Sequence, residues 1–164
     1  MKKAAIVVAA LVLAVIVAVV VIGWLLPAEH VASGEVTVPA ASQRVFEAIS
    51  DVNRYPSWRP GITRVEVLAT HPLRWREHEG GDAITFEVVE SSPPQQLKVR
   101  IADADLPFGG SWTYVLTPVG TGTRLQITED GVVHNPVFRF VSRFVIGHTA
   151  TIEQFLDDLE AFLT

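Results

Sequence analysis

The sequence predicts an α+β domain set behind a single membrane-crossing helix, and three observations carry that prediction. An uncharged apolar run of 23 residues, Ala4–Leu26, follows Lys2 and Lys3. The middle of the chain breaks into short strand-like runs separated by glycine and proline turns. The C-terminal stretch repeats apolar residues every three or four positions, the signature of one long helix with a buried face.

The run comes first. As a helix rising about 1.5 Å per residue it covers roughly 34 Å, enough for a hydrocarbon core of about 30 Å. Lys2 and Lys3 flank its N-terminal side, whereas Pro27–Ser33 carries Glu29 and no Lys or Arg. The positive-inside bias therefore predicts a cytoplasmic N-terminus and a domain on the extracytoplasmic side of the cell membrane. A cleaved signal sequence is the competing reading. Its apolar core is normally about 7–15 residues long, and Leu26-Pro27-Ala28 is a poor cleavage site, so an uncleaved anchor is expected. The predicted organisation is an anchor over 1–26, a tether over 27–33 and one domain over 34–164. Fully extended, so short a tether reaches about 25 Å.

Of the 13 basic residues, all but Lys2 and Lys3 follow the run, leaving 11 against 18 acidic ones and a charge of −7 on the exported part. That balance argues against nucleic acid as a partner. The chain has no cysteine, which excludes thiol chemistry, thiolate metal sites and disulfides. The five histidines show no ligand spacing such as His-Glu-x-x-His, so no metal and no cofactor is expected. Gly109-Gly110 and Gly120-Thr-Gly122 read as turns, with no Lys-Ser/Thr to make a phosphate loop. No Gly-x-Ser-x-Gly elbow occurs.

Along the domain, Glu35–Val38 alternates and ends at Pro39, which predicts a first strand. Ser42 is placed to cap a helix whose Val45, Phe46 and Ile49 share a face. Two prolines make Asn53–Gly61 irregular, with room for one helical turn. Strands are then predicted at Ile62–Ala69, Leu73–Glu79, Ala83–Glu90, Gln96–Asp103, Ser111–Pro118 and Thr123–Asp130. Their spacing indicates a seven-stranded antiparallel meander. Asn135 and Pro136 suit the cap and first position of the closing helix, predicted at about 27 residues. Val137, Val141, Phe144, His148, Ile152, Phe155, Leu159 and Phe162 form its stripe. A long helix and a curved sheet, each with one apolar face, are expected to cover each other.

The strings VTVPAASQRVFEAISDVNRYPSWRPGI at 36–62, FEVVESSPP at 86–94 and TEDG at 128–131 resemble the START-like (SRPBCC) superfamily, nearest its polyketide cyclase/dehydrase-like branch. The resemblance covers about residues 34–163. It implies the helix-grip fold, a seven-stranded curved sheet wrapped around a long C-terminal helix with a cavity between them. Family members bind lipids, hormones or polyketides, and some are enzymes. The resemblance thus supplies an analogy for activity and no more. The cavity mouth is expected at Leu106–Gly110, Tyr55–Pro60 and the start of the last helix, which brings in Phe108.

Period-two alternation selects inward sets: Leu73, Trp75 and Glu77; Leu97, Val99, Ile101 and Asp103; Trp112, Tyr114 and Leu116; Leu125, Ile127 and Glu129. Most of these are simply core. Trp58, Trp75, Phe108, Trp112, Tyr114 and Phe144 are the expected cavity walls. Glu129, at the end of an apolar stripe, is a candidate general acid or base if it points inward, and otherwise an ordinary paired strand-end carboxylate. His148 is a candidate proton shuttle or polar ligand contact, beside a space-leaving Gly147; a histidine satisfied within the core is the simpler reading. Arg59 is a candidate for an anionic head group, a solvated arginine being the simpler reading. Arg100 and Arg124 are expected on the outer sheet face.

Three functions compete. The first is a membrane-tethered binder or carrier of a hydrophobic small molecule or lipid. The second is a cyclase or dehydratase-like enzyme using Glu129 or His148. The third is a non-catalytic interaction domain with an apolar patch around Phe138, Phe140 and Val145.

Overall fold

The computed structural model describes residues 2–164, excepting the side chain of Ile146; Met1 of the predicted anchor lies outside them. The chain runs α1 (Lys2–Leu25), β1 (Glu29–Val38), α2 (Ser42–Ser50), a 3-10 turn (Val52–Arg54), α3 (Tyr55–Trp58) and then β2 (Ile62–Thr70). It continues through β3 (Leu73–Glu79), β4 (Asp82–Ser92), β5 (Gln96–Ile101), β6 (Phe108–Val119) and β7 (Gly122–Val133). It closes with α4 (Pro136–Val141), a π turn (Ser142–Ile146) and α5 (Ala150–Leu163). The strands form one antiparallel sheet in the order β1-β7-β6-β5-β4-β3-β2. The meander from β2 to β7 follows sequence, and α2 and α3 carry the chain from β1 at one edge to β2 at the other. This is the helix-grip architecture.

α1 is long and apolar enough to cross a membrane. Its last turn packs on α4, since a methyl at Gly23 would run into the Pro136 carbonyl. The segment expected to be a tether is mostly strand: β1 begins at Glu29 and pairs with β7 from Glu29↔Val132 to Val38↔Thr123. Alternation missed its first half because neither face there is consistently apolar. Only two residues separate the last helical contact, Leu26 N to Ile22 O at 3.1 Å, from the sheet.

Ser42 does not cap α2. Ala41 holds the cap position without a side-chain bond, and the Ser42 hydroxyl reaches Thr123 Oγ1 at 3.0 Å. Thr123 in turn donates to the Ala40 carbonyl at 2.8 Å, so the pair pins α2 to β7. Asn135 does cap α4, its Oδ1 accepting from Val137 N at 2.9 Å and Phe138 N at 3.3 Å.

The predicted 27-residue helix is broken. Gly147 adopts φ +87° after the π turn, and α5 alone lies in the grip. Its Ile152, Phe155, Leu156, Leu159 and Leu163 are buried, which are the i, i+3, i+4, i+7 and i+11 positions of one face. That face approaches β1 where a side chain is missing: a methyl at Gly34 would lie 2.9 Å from Ile152 Cγ2. Val38, Val45, Ile49, Leu125 and Ile127 complete the closed side of the core. Gly109 and Gly110, read as turn residues, lie inside β6. Gly110 opposes Gly131 at φ +140°, and a side chain there would strike the Asp130 carbonyl.

Candidate functional site

The sheet and α5 part from each other toward the β3–β4 turn, leaving a cavity of about 340 Å³. Register builds its wall. Trp75 sits across from Phe86 and Val99 across from Trp112, so alternate residues of β3 to β6 present one continuous apolar face. Trp75 and Phe86 stack with centroids 5.6 Å apart. Phe155 of α5 closes the other side, edge-on to Trp112 at 6.0 Å and tilted against Tyr114 at 5.6 Å. Tyr55 stands at the base, its hydroxyl donating to the Ile49 carbonyl at 2.7 Å.

One polar group is built into this wall. Arg59 Nη1 donates to Glu77 Oε2 at 2.9 Å, and Trp75 Nε1 donates to Glu77 Oε1 at 2.8 Å. Both carboxylate oxygens are therefore held. The Arg59 guanidinium carbon lies 4.8 Å from the Tyr55 ring centre and 5.1 Å from that of Phe155, between two aromatic faces. The side chains retain 16% and 9% of their exposure. Burial by itself would lower the Arg59 pKa; Glu77 foremost, with Tyr55 and Tyr114, more than offsets it and holds the guanidinium above its ordinary value. Burial likewise pushes the Tyr114 hydroxyl well above the usual phenol range, so it stays a neutral donor and acceptor on the wall. One charged pair, neutral overall, thus faces a mainly apolar space beside the Tyr114 hydroxyl and can hydrogen-bond one oxygen-bearing group of a ligand.

Of the eight residues selected from sequence, Trp75, Trp112 and Tyr114 line this cavity; the others do not. Trp58 is core, stacked on Phe162 at 5.8 Å and edge-on to Tyr55 and Phe155 at 5.4 Å. Its Nε1 is buried with no hydrogen-bond partner. Phe108 opens β6 and stays half-buried outside the cavity, because the strand begins three residues earlier than predicted. Phe144 falls in the π turn, 59% exposed. Of the expected mouth, the Tyr55–Pro60 segment contributes Arg59, while Leu106–Gly110 lies away from the cavity; Thr151 of α5 and the exposed Glu79, Gly80 and Asp82 of the β3–β4 turn complete the rim.

Glu129 and His148 meet elsewhere. Glu129 lies across from Trp112 in the β6–β7 register, and burial raises its pKa against the pull of the neighbouring Trp112 and His148 side chains. His30 Nε2 is 3.4 Å from Glu129 Oε1. The His30 and His148 rings stack at 4.1 Å, and His148 Nδ1 contacts Ser142 Oγ at 3.0 Å. Burial, joined by His30 and Arg143, lowers the His148 pKa despite Glu129; burial lowers that of His30. The broken helix moved His148 off the core stripe, so the acid and base candidates sit on either side of His30, away from the cavity. Among the described residues no group of three His, Asp or Glu side chains is arranged to hold a metal ion.

Sequence reasoning named Arg59 as a candidate for an anionic head group, with a solvated arginine as the simpler reading, and it marked Glu77 as inward without giving it a role. A carboxylate in an inward stripe demands a buried partner, which was the available signal. The partner itself was not readable, because Arg59, at the end of α3, reaches Glu77 of β3 only through the packing of α3 on β2. Arg100 and Arg124 are exposed on the outer face, as expected.

The family model described as polyketide cyclase/dehydrase and lipid transport matches residues 29–163. No curated protein matches the sequence. Among solved structures, a START superfamily protein from Mycobacterium smegmatis superposes with TM-score 0.66 at 22% identity, over 82% of this chain and 97% of its own. The ZhuI aromatase/cyclase from Streptomyces sp. R1128 gives 0.67 at 18%, over 82% and 93%. Norcoclaurine synthase from Thalictrum flavum gives 0.64 at 14%, over 82% and 86%. At such identities the likeness is one of fold.

Proposed function

The chain belongs to the polyketide cyclase/dehydrase and lipid-transport family, and from that membership and its cavity we propose that it binds or carries a compact hydrophobic molecule bearing one polar oxygen group. The observation behind this reading is the cavity: largely aromatic walls around an internally neutralised Arg59–Glu77 pair, with Glu79 and Asp82 at the rim. A volume of 340 Å³ is at the lower end of the about 300–1,000 Å³ of small-molecule sites. It suits a fused ring system or a single chain, not a whole two-chain phospholipid. α1 would hold the cavity at the cell membrane, with the N-terminus cytoplasmic and the domain outside, which favours ligands that partition into lipid. The eight residues selected from sequence reduce, on this reading, to Trp75, Trp112 and Tyr114, joined by Arg59, Glu77, Phe86 and Phe155. The acid–base reading of Glu129 and His148 gains no support, since neither lines the cavity.

The test is native mass spectrometry of the full chain in detergent after incubation with a membrane lipid extract. The parent is expected to keep one bound small molecule. Ile84→Trp, which fills the cavity from its half-buried wall, is expected to lose it. A parent that retains nothing, or an Ile84→Trp variant that retains it equally, overturns the reading.

A further inference from the structure

We propose that residues 136–145 are a second membrane contact, an interfacial docking surface whose partner is the bilayer that α1 crosses. This rests on the reading of α1 as a membrane span.

Position comes first. Gly23 lies inside the apolar run, three residues or about 4.5 Å of helix rise before its end, and it packs against the Pro136 backbone. Arg139 fastens the same junction, donating to the carbonyls of Leu26 at 3.3 Å, Val133 at 2.7 Å and His134 at 3.1 Å. A span that ends near Leu26 therefore carries α4 at the level of the hydrocarbon boundary.

The segment is built for that level. Residues 136–145, PVFRFVSRFV, hold two arginines, one serine and no acid in a chain of net charge −5. Phe138 is 50% exposed, Phe144 59% and Val145 71%, and the Phe140 and Phe144 rings cluster at 4.9 Å. In water this is an uncovered apolar patch; in the interface it is an amphipathic segment facing acyl chains, with Arg143 exposed for an anionic phosphate. The π turn makes it possible. Gly147 N bonds the Ser142 carbonyl at 3.0 Å, an i to i+5 bond that takes Phe144 off the stripe of α5. Arg143 is exposed at the rim of the pocket beside Leu26–Val31, where a lipid phosphate would sit.

Because the chain has no cysteine, single substitutions report cleanly. Full-length Phe144→Cys and Val145→Cys, with Val15→Cys in α1 and Val89→Cys on the outer sheet face as references, are labelled with an environment-sensitive NBD fluorophore. They are then reconstituted into phosphatidylethanolamine–phosphatidylglycerol vesicles containing nitroxide lipids. Shallow nitroxides should quench the labels at 144 and 145 at least twofold more than the label at 89, and deep nitroxides should quench that at 15. Quenching at 15 with 144 and 145 no different from 89 overturns the docking surface and leaves the span intact. Absence of quenching at 15 overturns the span reading and the proposal with it. Blue-shifted emission at 144 and 145 without lipid quenching means that a second copy covers the patch, and also overturns the proposal.

Discussion

Removing Glu77 while keeping Arg59 is the sharpest perturbation of the cavity. Glu77 accepts from Arg59 at 2.9 Å and from Trp75 at 2.8 Å, so Glu77→Leu leaves a cation and an indole N–H without their acceptor. Unit charges about 4 Å apart at an effective dielectric of about 20 attract by about 4 kcal/mol. Truncating one partner of a buried pair costs about 3–5 kcal/mol. The residual exposure of the pair places this site near 3 kcal/mol, and the orphaned Trp75 N–H adds about 1 kcal/mol. Glu77→Leu is thus expected to destabilise by about 4 kcal/mol and Arg59→Met by about 3 kcal/mol, for the same charge reason. The double variant has no charge left to desolvate, and apolar replacement of a buried pair is often neutral. It should lose only about 2 kcal/mol, far less than the sum. The assay is urea unfolding of the full chain in detergent, followed by tryptophan fluorescence. Losses that add to within about 0.5 kcal/mol, the behaviour of independent sites, would refute the assignment of Arg59 and Glu77 as one buried unit.

Two further outcomes follow from the geometry. Trp58→Phe keeps the ring stack on Phe162 and removes the unpartnered indole N–H, so its unfolding midpoint should match or exceed the parent's, whereas Trp58→Ala should lose about 3–5 kcal/mol; equal losses in both would show that the N–H is satisfied. His30 and His148 have pKa values held below 6.5, so the unfolded chain binds their protons first and stability is lost as pH falls below about 6.5. Glu129, raised above 4.5, acts with the opposite sign just above that value. A His30→Asn/His148→Asn variant should therefore show a flatter stability profile between pH 6.5 and 5.5 in thermal melts, and a slope identical to the parent's would sink the assignment.

Local rules read much of this chain. Alternation and turn residues located β3 to its end residues and the other meander strands to within a few residues, because each buries one face and period two then marks the sequence. Asn135 declared its cap because an Asx side chain before proline has few other uses. The failures share a cause. The first half of β1 was missed since both its faces are mixed, and its pairing with β7 is a contact across about a hundred residues. Ser42 looked like a cap, but its hydroxyl is claimed by Thr123, far away in sequence. Phe144 and His148 sat on a faultless helical stripe until the π turn and Gly147 broke it, a break no periodicity announces.

What the sequence by itself determined is the class: an apolar N-terminal helix, a seven-strand antiparallel sheet, a C-terminal helical stretch to cover it, and a family. These depend on near-neighbour patterns of burial, which a linear string records. What only the tertiary structure decided is where the polar groups go. Arg59 became a cavity residue, and Glu129 and His148 came to lie outside the cavity, on either side of His30. Such pairings depend on which distant elements pack together, and the free energy of a buried charge is set by that one partner rather than by its place in the chain.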